Sequence, residues 1–243
     1  MISFEYPLTE KSRSYLRFES LFLQINQSIT LQHESDAVNF FKSLFELVEL
    51  SDRIDIKHDL IKDLRALSSE MQAWLQCDEA DKEAIEALID EIRQLCTALL
   101  SMSKQLKFFK ESRFLTSLKQ RFFIPGGCCN FDLPQLHFWN AQSSEQKQSD
   151  ARKWFEYFKD LEHALSLFLK MKRLQGIKSV KKAKNGFFQG EVDDALFITI
   201  NVENDLNVYP MISGHKHRYS VRFMNTQAEN SRVEFIEFEQ IFS

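Results

Sequence analysis

From Thr9 onward the apolar positions Tyr15, Phe18, Phe22, Ile25 and Ile29 step by three and four, which predicts an amphipathic helix. Arg13, Arg17 and Gln24 sit away from that face. Before it, Ile2 to Tyr6 alternate weakly and fit a short edge strand. Ser35 can cap a second helix with Val38, Phe41, Leu44, Phe45 and Val48 inside. A polar link from Ser51 to Lys57 contains Arg53. Leu60, Leu64, Leu67, Met71 and Trp74 then form a heptad-like stripe, and after a polar loop from Cys77 to Glu83 it resumes at Ile85, Leu88, Ile92, Leu95 and Leu99. Two such helices on a short loop predict an antiparallel hairpin. It fits ordinary bundle packing or an arm that reaches a partner.

Residues 104–121 read as one helix with a basic face, carrying Lys104, Lys107, Lys110, Arg113, Lys119 and Arg121 against Glu111. Then Pro125 removes a backbone donor, and Gly126-Gly127 permit positive φ, so the chain must turn. Asp132 can cap a new helix with Pro134 in its first turn. This stretch is the expected joint between an all-helical half and a β-containing half. Ser143 with Gln146 resembles a capping box. Trp154, Phe158, Leu161, Leu165 and Phe168 mark a long helix to about Arg173, expected to lie against the sheet that follows.

Asn185-Gly186 is a turn signal leading into Phe187-Phe188. Leu196 to Val202 alternate as a strand. Val208–Ile212 contains Pro210 and suits an edge strand. Ser213-Gly214 turns the chain, and His217, Tyr219, Val221 and Phe223 alternate with Arg218, Ser220 and Arg222. Val233 to Phe242 shifts phase, which a bulge between 235 and 236 explains. The elements define an α+β protein: an N-terminal helical bundle domain over 1–117 and a C-terminal antiparallel β domain over 118–243. The helix at 143–174 packs that sheet, and the first residues fit one of its edge strands.

The chain has 243 residues, enough for one or two domains that bury a core without staples. Most of its 23 Phe are expected inside. No basic or apolar leader is read at the start, and no 18-residue apolar run occurs, so neither a signal peptide nor a membrane span is expected. Cys77, Cys96, Cys128 and Cys129 lack C-x-x-C spacing and read as reduced thiols. Cys128-Cys129 fits small buried side chains beside a Gly pair, or a strained vicinal disulfide.

Charge is uneven. Residues 46–91 are net −9, with 14 acids and 5 bases, while 1–45 are −1 and 92–243 are +6, against −4 overall. Between Glu162 and Glu191 there is no acid, and none between Asp205 and Glu229. On a strand, Arg218 and Arg222 share one face, about 13 Å apart, and Lys216 has the same parity. The other face is apolar. A cationic stripe on a packed sheet fits a platform for an acidic peptide or a nucleic-acid backbone, or a solvated outer face. His215 and His217 lack further ligands at matching spacing, so no metal site is read. No G-x-S-x-G, P-loop, dinucleotide fingerprint or H-E-x-x-H occurs, so no catalytic residue and no cofactor is expected.

Pro125-Gly126-Gly127-Cys128-Cys129, then Phe131-Asp132-Leu133-Pro134 and Leu136-His137-Phe138-Trp139, resemble the centre of the ZapD family of bacterial cell division proteins. Tyr209-Pro210, Ile212-Ser213-Gly214-His215-Lys216, Arg218 and Arg222-Phe223 resemble its C-terminal signature. Phe4 to Leu8, Tyr15-Leu16-Arg17, Ile85 to Ile89 and Asn185-Gly186-Phe187 add to a likeness that covers nearly the whole chain. The resemblance implies a cytoplasmic homodimer at the division ring at midcell. It implies no catalysis, membrane insertion or nucleic-acid partner; such a protein binds the C-terminal tail of FtsZ and bundles its filaments. It assigns tail binding to Arg53, Arg218 and Arg222, to which strand parity adds Lys216. It assigns bundling or an interface to Arg17, Arg113 and His137. The alternative from residues alone is a nucleic-acid-binding module using the basic C-terminal half; the overall pI of about 5.9 counts against it.

Overall fold

A computed structural model describes residues 1–77, 80–102, 106–215, 217–225 and 235–243. The architecture is α+β: helices dominate the first two thirds of the chain and an antiparallel seven-stranded sheet is built mainly from the last third. The chain divides into two compact units, residues 1–16 with 169–243, and residues 17–168.

The sheet unit takes β1 (Ile2–Pro7) from the start of the chain. The rest are β2 (Ile177–Lys184), β3 (Phe187–Glu191), β4 (Phe197–Val202), β5 (Val208–His215), β6 (Arg218–Asn225) and β7 (Phe235–Phe242). Their order is β1-β4-β7-β2-β3-β6-β5, so β1 and the Pro210 strand β5 are the edges. β4 stands second and β5 last, yet only residues 203–207 join them. A flat sheet would set them roughly 24 Å apart, at about 4.8 Å per strand. The link reaches at most about 20 Å. The sheet therefore curls, and its inner residues share one core, including Ile198, Ile200, Tyr219, Val221, Ile236 and Phe238. Leu8 joins that core; a Cβ on Gly214 would lie 3.1 Å from its Cδ2.

Asn185 and Gly186 take positive φ, 51° and 71°. Such a two-residue turn matches strand twist. It sets Lys184 of β2 opposite Phe187 of β3, after which β3 pairs with β6. β7 pairs with β2 without a break from Phe235 to Phe242, so the expected bulge is absent over the described residues. Phe235 simply faces outward and Ile236 inward. Val233 lies outside the described residues.

The helices are α1 (Glu10–Ser28), α2 (Glu34–Arg53), α3 (Ile56–Trp74), α4 (Lys82–Ser101), α5 (Leu106–Glu111), α6 (Arg113–Phe122), α7 (Pro134–Asn140), α8 (Ser144–Phe155) and α9 (Lys159–Leu174). Thr9 and Ser12 cap α1 reciprocally: Ser12 N donates to Thr9 Oγ1 at 3.0 Å and Thr9 N to Ser12 Oγ at 3.1 Å. The helical core is aromatic. Phe41 packs on Phe40, Phe45, Phe114, Phe122, Trp139 and Trp154, with ring centroids 5.1 to 6.1 Å away. α3 and α4 pair as a hairpin that buries Leu60, Leu64, Leu67, Met71, Ile92, Leu95 and Leu99. Towards its tip Trp74 is exposed, and Ile85 and Leu88 are half-buried.

Local chemistry moves several expected boundaries. α2 starts after His33, whose N–H donates to the Asp36 carboxylate at 2.9 Å, rather than after Ser35. Its buried positions include Phe40 and Leu47, while Val38 is exposed. The helix runs on through Arg53, so the link is Ile54-Asp55. The expected helix over 104–121 breaks at Ser112, whose Oγ accepts from Leu115 N at 3.3 Å and starts α6. The side chains of Lys104 and Lys107 lie outside the described residues.

The Pro-Gly segment joins α6 to α7 and lies within the unit of residues 17–168. A boundary after residue 117 falls inside that unit as well. Gly126 takes the positive φ, 73°; Gly127 is needed because a Cβ would lie 2.5 Å from the Arg121 carbonyl oxygen. Leu133, not Asp132, is the residue before α7. The helix expected over 143–174 is α8, a 3-10 turn at Glu156–Phe158, and α9. Its aromatic residues pack within the helical unit, Phe155 on Phe22 and Phe158 on Phe109. Its end belongs to the sheet unit, where Arg173 forks onto the Glu5 carboxylate at 2.8 and 3.0 Å and lies over the Phe197 ring.

Candidate functional site

β6 alternates as its sequence predicts. Tyr219, Val221 and Phe223 point into the core, and Arg218, Ser220, Arg222 and Met224 point out. The inward residues hold the strand. The Tyr219 hydroxyl donates to Gln240 Oε1, and Gln240 Nε2 donates to Ser179 Oγ at 3.0 Å. This links β6, β7 and β2 through a chain of polar groups that would cost free energy if left unpaired. Burial pushes the Tyr219 phenol up. Phe223 N donates to the Gly186 carbonyl at 2.8 Å, which fixes the β2–β3 turn to β6.

Arg218 and Arg222 thus stand exposed on one face of one strand, about 13 Å apart along it. Arg218 faces Glu191 of β3, with Nε 3.9 Å from Oε1 and both side chains mostly solvated. Arg222 lies between Phe187 of β3 and Met211 of β5, both exposed. Met224 and Tyr209 continue that face and are exposed too. Alternation along β6 alone does not place these apolar residues beside Arg222. The signal available was the Asn185-Gly186 turn, which places Phe187 beside the strand that carries Arg222.

Lys216 lies outside the described residues, as does the side chain of His215 from the His215/His217 pair. Arg53, Arg17, Arg113 and His137 all fall in the helical unit. Arg53 ends α2 and pairs with Glu49 one turn back. Arg17 is exposed on α1, Arg113 opens α6, and His137 is exposed on α7. The last three therefore stand on three different helices. His137 lines an open cleft with His33, Cys128 and Lys147. The four cysteines are free thiols: Cys77 and Cys129 are exposed, Cys128 is half-buried and Cys96 buried. Burial pushes the Cys128 thiol up, as does its neighbour Cys129.

Among the described residues, no group of three or more His, Cys, Asp or Glu is placed to hold a metal ion. No helix among them is long and apolar enough to cross a membrane. What stands out is an amphipathic, cationic sheet face on an α+β scaffold.

A model of the family described as ZapD, cell division protein, matches residues 16–222. That span takes in Arg17, Arg53, Arg113, His137, Arg218 and Arg222. Cell division protein ZapD of Vibrio parahaemolyticus is 40% identical over 235 residues, covering 96% of each chain. Its counterparts in Vibrio vulnificus and Aliivibrio fischeri are each 38% identical, covering 98% of this chain and 96% of theirs. The chain belongs to the ZapD family of cell division proteins.

Proposed function

We propose that this protein binds the C-terminal tail of FtsZ and, as a homodimer, cross-links FtsZ filaments into bundles at the cytoplasmic division ring. It acts by binding alone, without catalysis or a cofactor. The observation that carries this reading is the outer face of β6. Arg218 and Arg222 offer forked donors suited to carboxylates, and Phe187 and Met211 flank the second of them with apolar surface. A tail carrying acidic and apolar residues meets both. Arg53 and Lys216 complete the tail-binding set in this reading, and Arg17, Arg113 and His137 serve bundling.

The mechanism is bivalency. Exposed ion pairs contribute roughly 0–1 kcal/mol each, so one tail is held weakly. A dimer holding one tail from each of two filaments gains from effective concentration, because neighbouring tails along a filament bind in turn.

The test is fluorescence anisotropy of a labelled FtsZ tail peptide, titrated with wild type and with Arg218→Glu/Arg222→Glu at low and high salt. Wild type binds, salt weakens it, and the folded double variant loses binding. Equal binding by both proteins puts the site elsewhere. No binding by either overturns the reading, and duplex DNA then becomes the ligand to titrate.

A further inference from the structure

Cys128 and Cys129 are adjacent free thiols in different surroundings: Cys128 is half-buried and Cys129 exposed. Free cysteine is among the most buried of residue types, so packing does not account for Cys129. The pair is tied to two features of the helical unit. The Cys129 carbonyl accepts from Asp132 N at 3.0 Å and from Leu133 N at 2.9 Å, and Leu133 is the residue before α7. α7 in turn is anchored by the buried Leu136 and Trp139. Cys128 lines the cleft of about 630 Å³ that His33, His137 and Lys147 also line. The backbone at the pair thus sets both the start of α7 and part of the cleft wall. Neither thiol belongs to the tail-binding or the bundling set.

A bridge between neighbours in sequence is strained. Consecutive Cα atoms across a trans peptide are about 3.8 Å apart, below the roughly 4.4–6.8 Å that a disulfide usually spans. A strained disulfide is readily reduced. Such a bridge suits a reversible state and not a structural staple, which a core of this size does not need.

We propose that Cys128-Cys129 is a reversible oxidation site that closes to a vicinal disulfide when the protein meets a peroxide. The exposed Cys129 thiolate attacks one oxygen of hydrogen peroxide. The O–O bond breaks, hydroxide leaves, and Cys129 becomes a sulfenic acid. The Cys128 sulfur then attacks the Cys129 sulfur. The S–O bond breaks, and the departing hydroxide takes up the Cys128 thiol proton as water. Two electrons pass from the thiol pair to the peroxide, and a thiol reductant returns them. Half-burial suits Cys128 to the second step: its thiol keeps its proton at neutral pH, so Cys129 reacts first. Closing the ring turns the Cys128–Cys129 peptide. The carbonyl that holds Asp132 and Leu133 shifts with it, and so does the cleft wall at Cys128.

The experiment uses the full chain carrying Cys77→Ser, which removes the other exposed thiol and keeps the pair. The folded protein is treated with hydrogen peroxide, alkylated and digested with trypsin, and residues 122–147 form one peptide that holds both cysteines. Mass spectrometry should find that peptide two hydrogens lighter and unalkylated, and dithiothreitol before alkylation should restore both alkylation sites. With Cys128→Ser added, the reaction should stop at a Cys129 sulfenic acid that dimedone traps. With Cys129→Ser added instead, Cys128 should remain a thiol at the same dose. A pair that stays reduced, that oxidises no further than Cys129, or that cross-links two chains overturns the proposal. Bundling adds a readout that rests on the reading of His137 above. Oxidised protein should scatter less light with FtsZ filaments, recover with dithiothreitol and bind the tail peptide as before. A disulfide that forms without altering bundling leaves the oxidation site standing and removes the cleft from the bundling contact.

Discussion

Gly190 lies beneath the ring of Tyr219: a Cβ at that position would meet the phenol oxygen at 2.6 Å and two ring carbons at 2.7 Å. Tyr219 cannot move aside cheaply, because its hydroxyl is tied to the buried Gln240. Gly190→Ala should therefore destabilise the sheet unit by about 1–3 kcal/mol, the range for overpacking a well-packed core. Trp74, Trp139 and Trp154 all lie in the helical unit, so a far-ultraviolet circular dichroism melt is a better readout than tryptophan fluorescence. In a Tyr219→Leu background most of the penalty should vanish, and a double-mutant cycle measures that coupling. An equal cost in both backgrounds would show that the clash is not with Tyr219.

The same phenol sets an alkaline limit. Its burial raises the folded pKa above the usual 10.0. The unfolded chain then releases its proton first as pH rises past that value, so stability declines from about pH 10 upward through the folded pKa. Tyr219→Phe lacks this contribution. Below pH 10 the variant should be less stable by about 1 kcal/mol, having lost the hydrogen bond to Gln240. Urea titrations at pH 8 and pH 11 should find the gap narrowing at the higher pH; a constant gap would contradict the shift.

Residues with a clear period were legible in the sequence. Tyr15, Phe18, Phe22 and Ile25 on α1, and Tyr219, Val221 and Phe223 on β6, are buried as their spacing predicts. The parity that turns Arg218 and Arg222 outward follows from the same alternation. β2 was not legible, because Lys178, Lys181, Lys182 and Lys184 give it little apolar alternation; β7 and the Asn185-Gly186 turn make it a strand. The end of α2 was obscured because Ser51, Asp52 and Arg53 read as a polar link, although Glu49 pairs with Arg53 along the helix. The placing of Phe187 and Met211 on either side of Arg222 needs the order of three strands, which no local pattern contains.

Glu191 should restrain binding of an acidic tail. Its carboxylate lies 3.9 Å from Arg218, and at 74% and 82% exposure the two side chains have no packing to lose. Glu191→Gln removes the competing charge and leaves the β3–β6 pairing intact. Exposed pairs contribute roughly 0–1 kcal/mol, so the tail peptide should bind up to about fivefold tighter, with an unchanged melting temperature. Weaker binding by Glu191→Gln would mean that the carboxylate helps to orient Arg218 for the tail.

Bundling and tail binding should separate. Cross-linking needs two sites per particle, whereas binding needs one. A variant shown to be monomeric by analytical ultracentrifugation should therefore hold the tail peptide with wild-type affinity and fail to bundle filaments in a light-scattering assay. Salt should act on both, because Arg218 and Arg222 are exposed and the Debye length falls from about 10 Å at 0.1 M to about 3 Å at 1 M. The loss should be steeper for bundling, since several weak contacts along a filament weaken together. Bundling by a verified monomer would sink the bivalent mechanism while leaving the binding face intact. Salt-insensitive tail binding would instead remove Arg218 and Arg222 from the site and leave the apolar residues of the face as its remaining source of affinity.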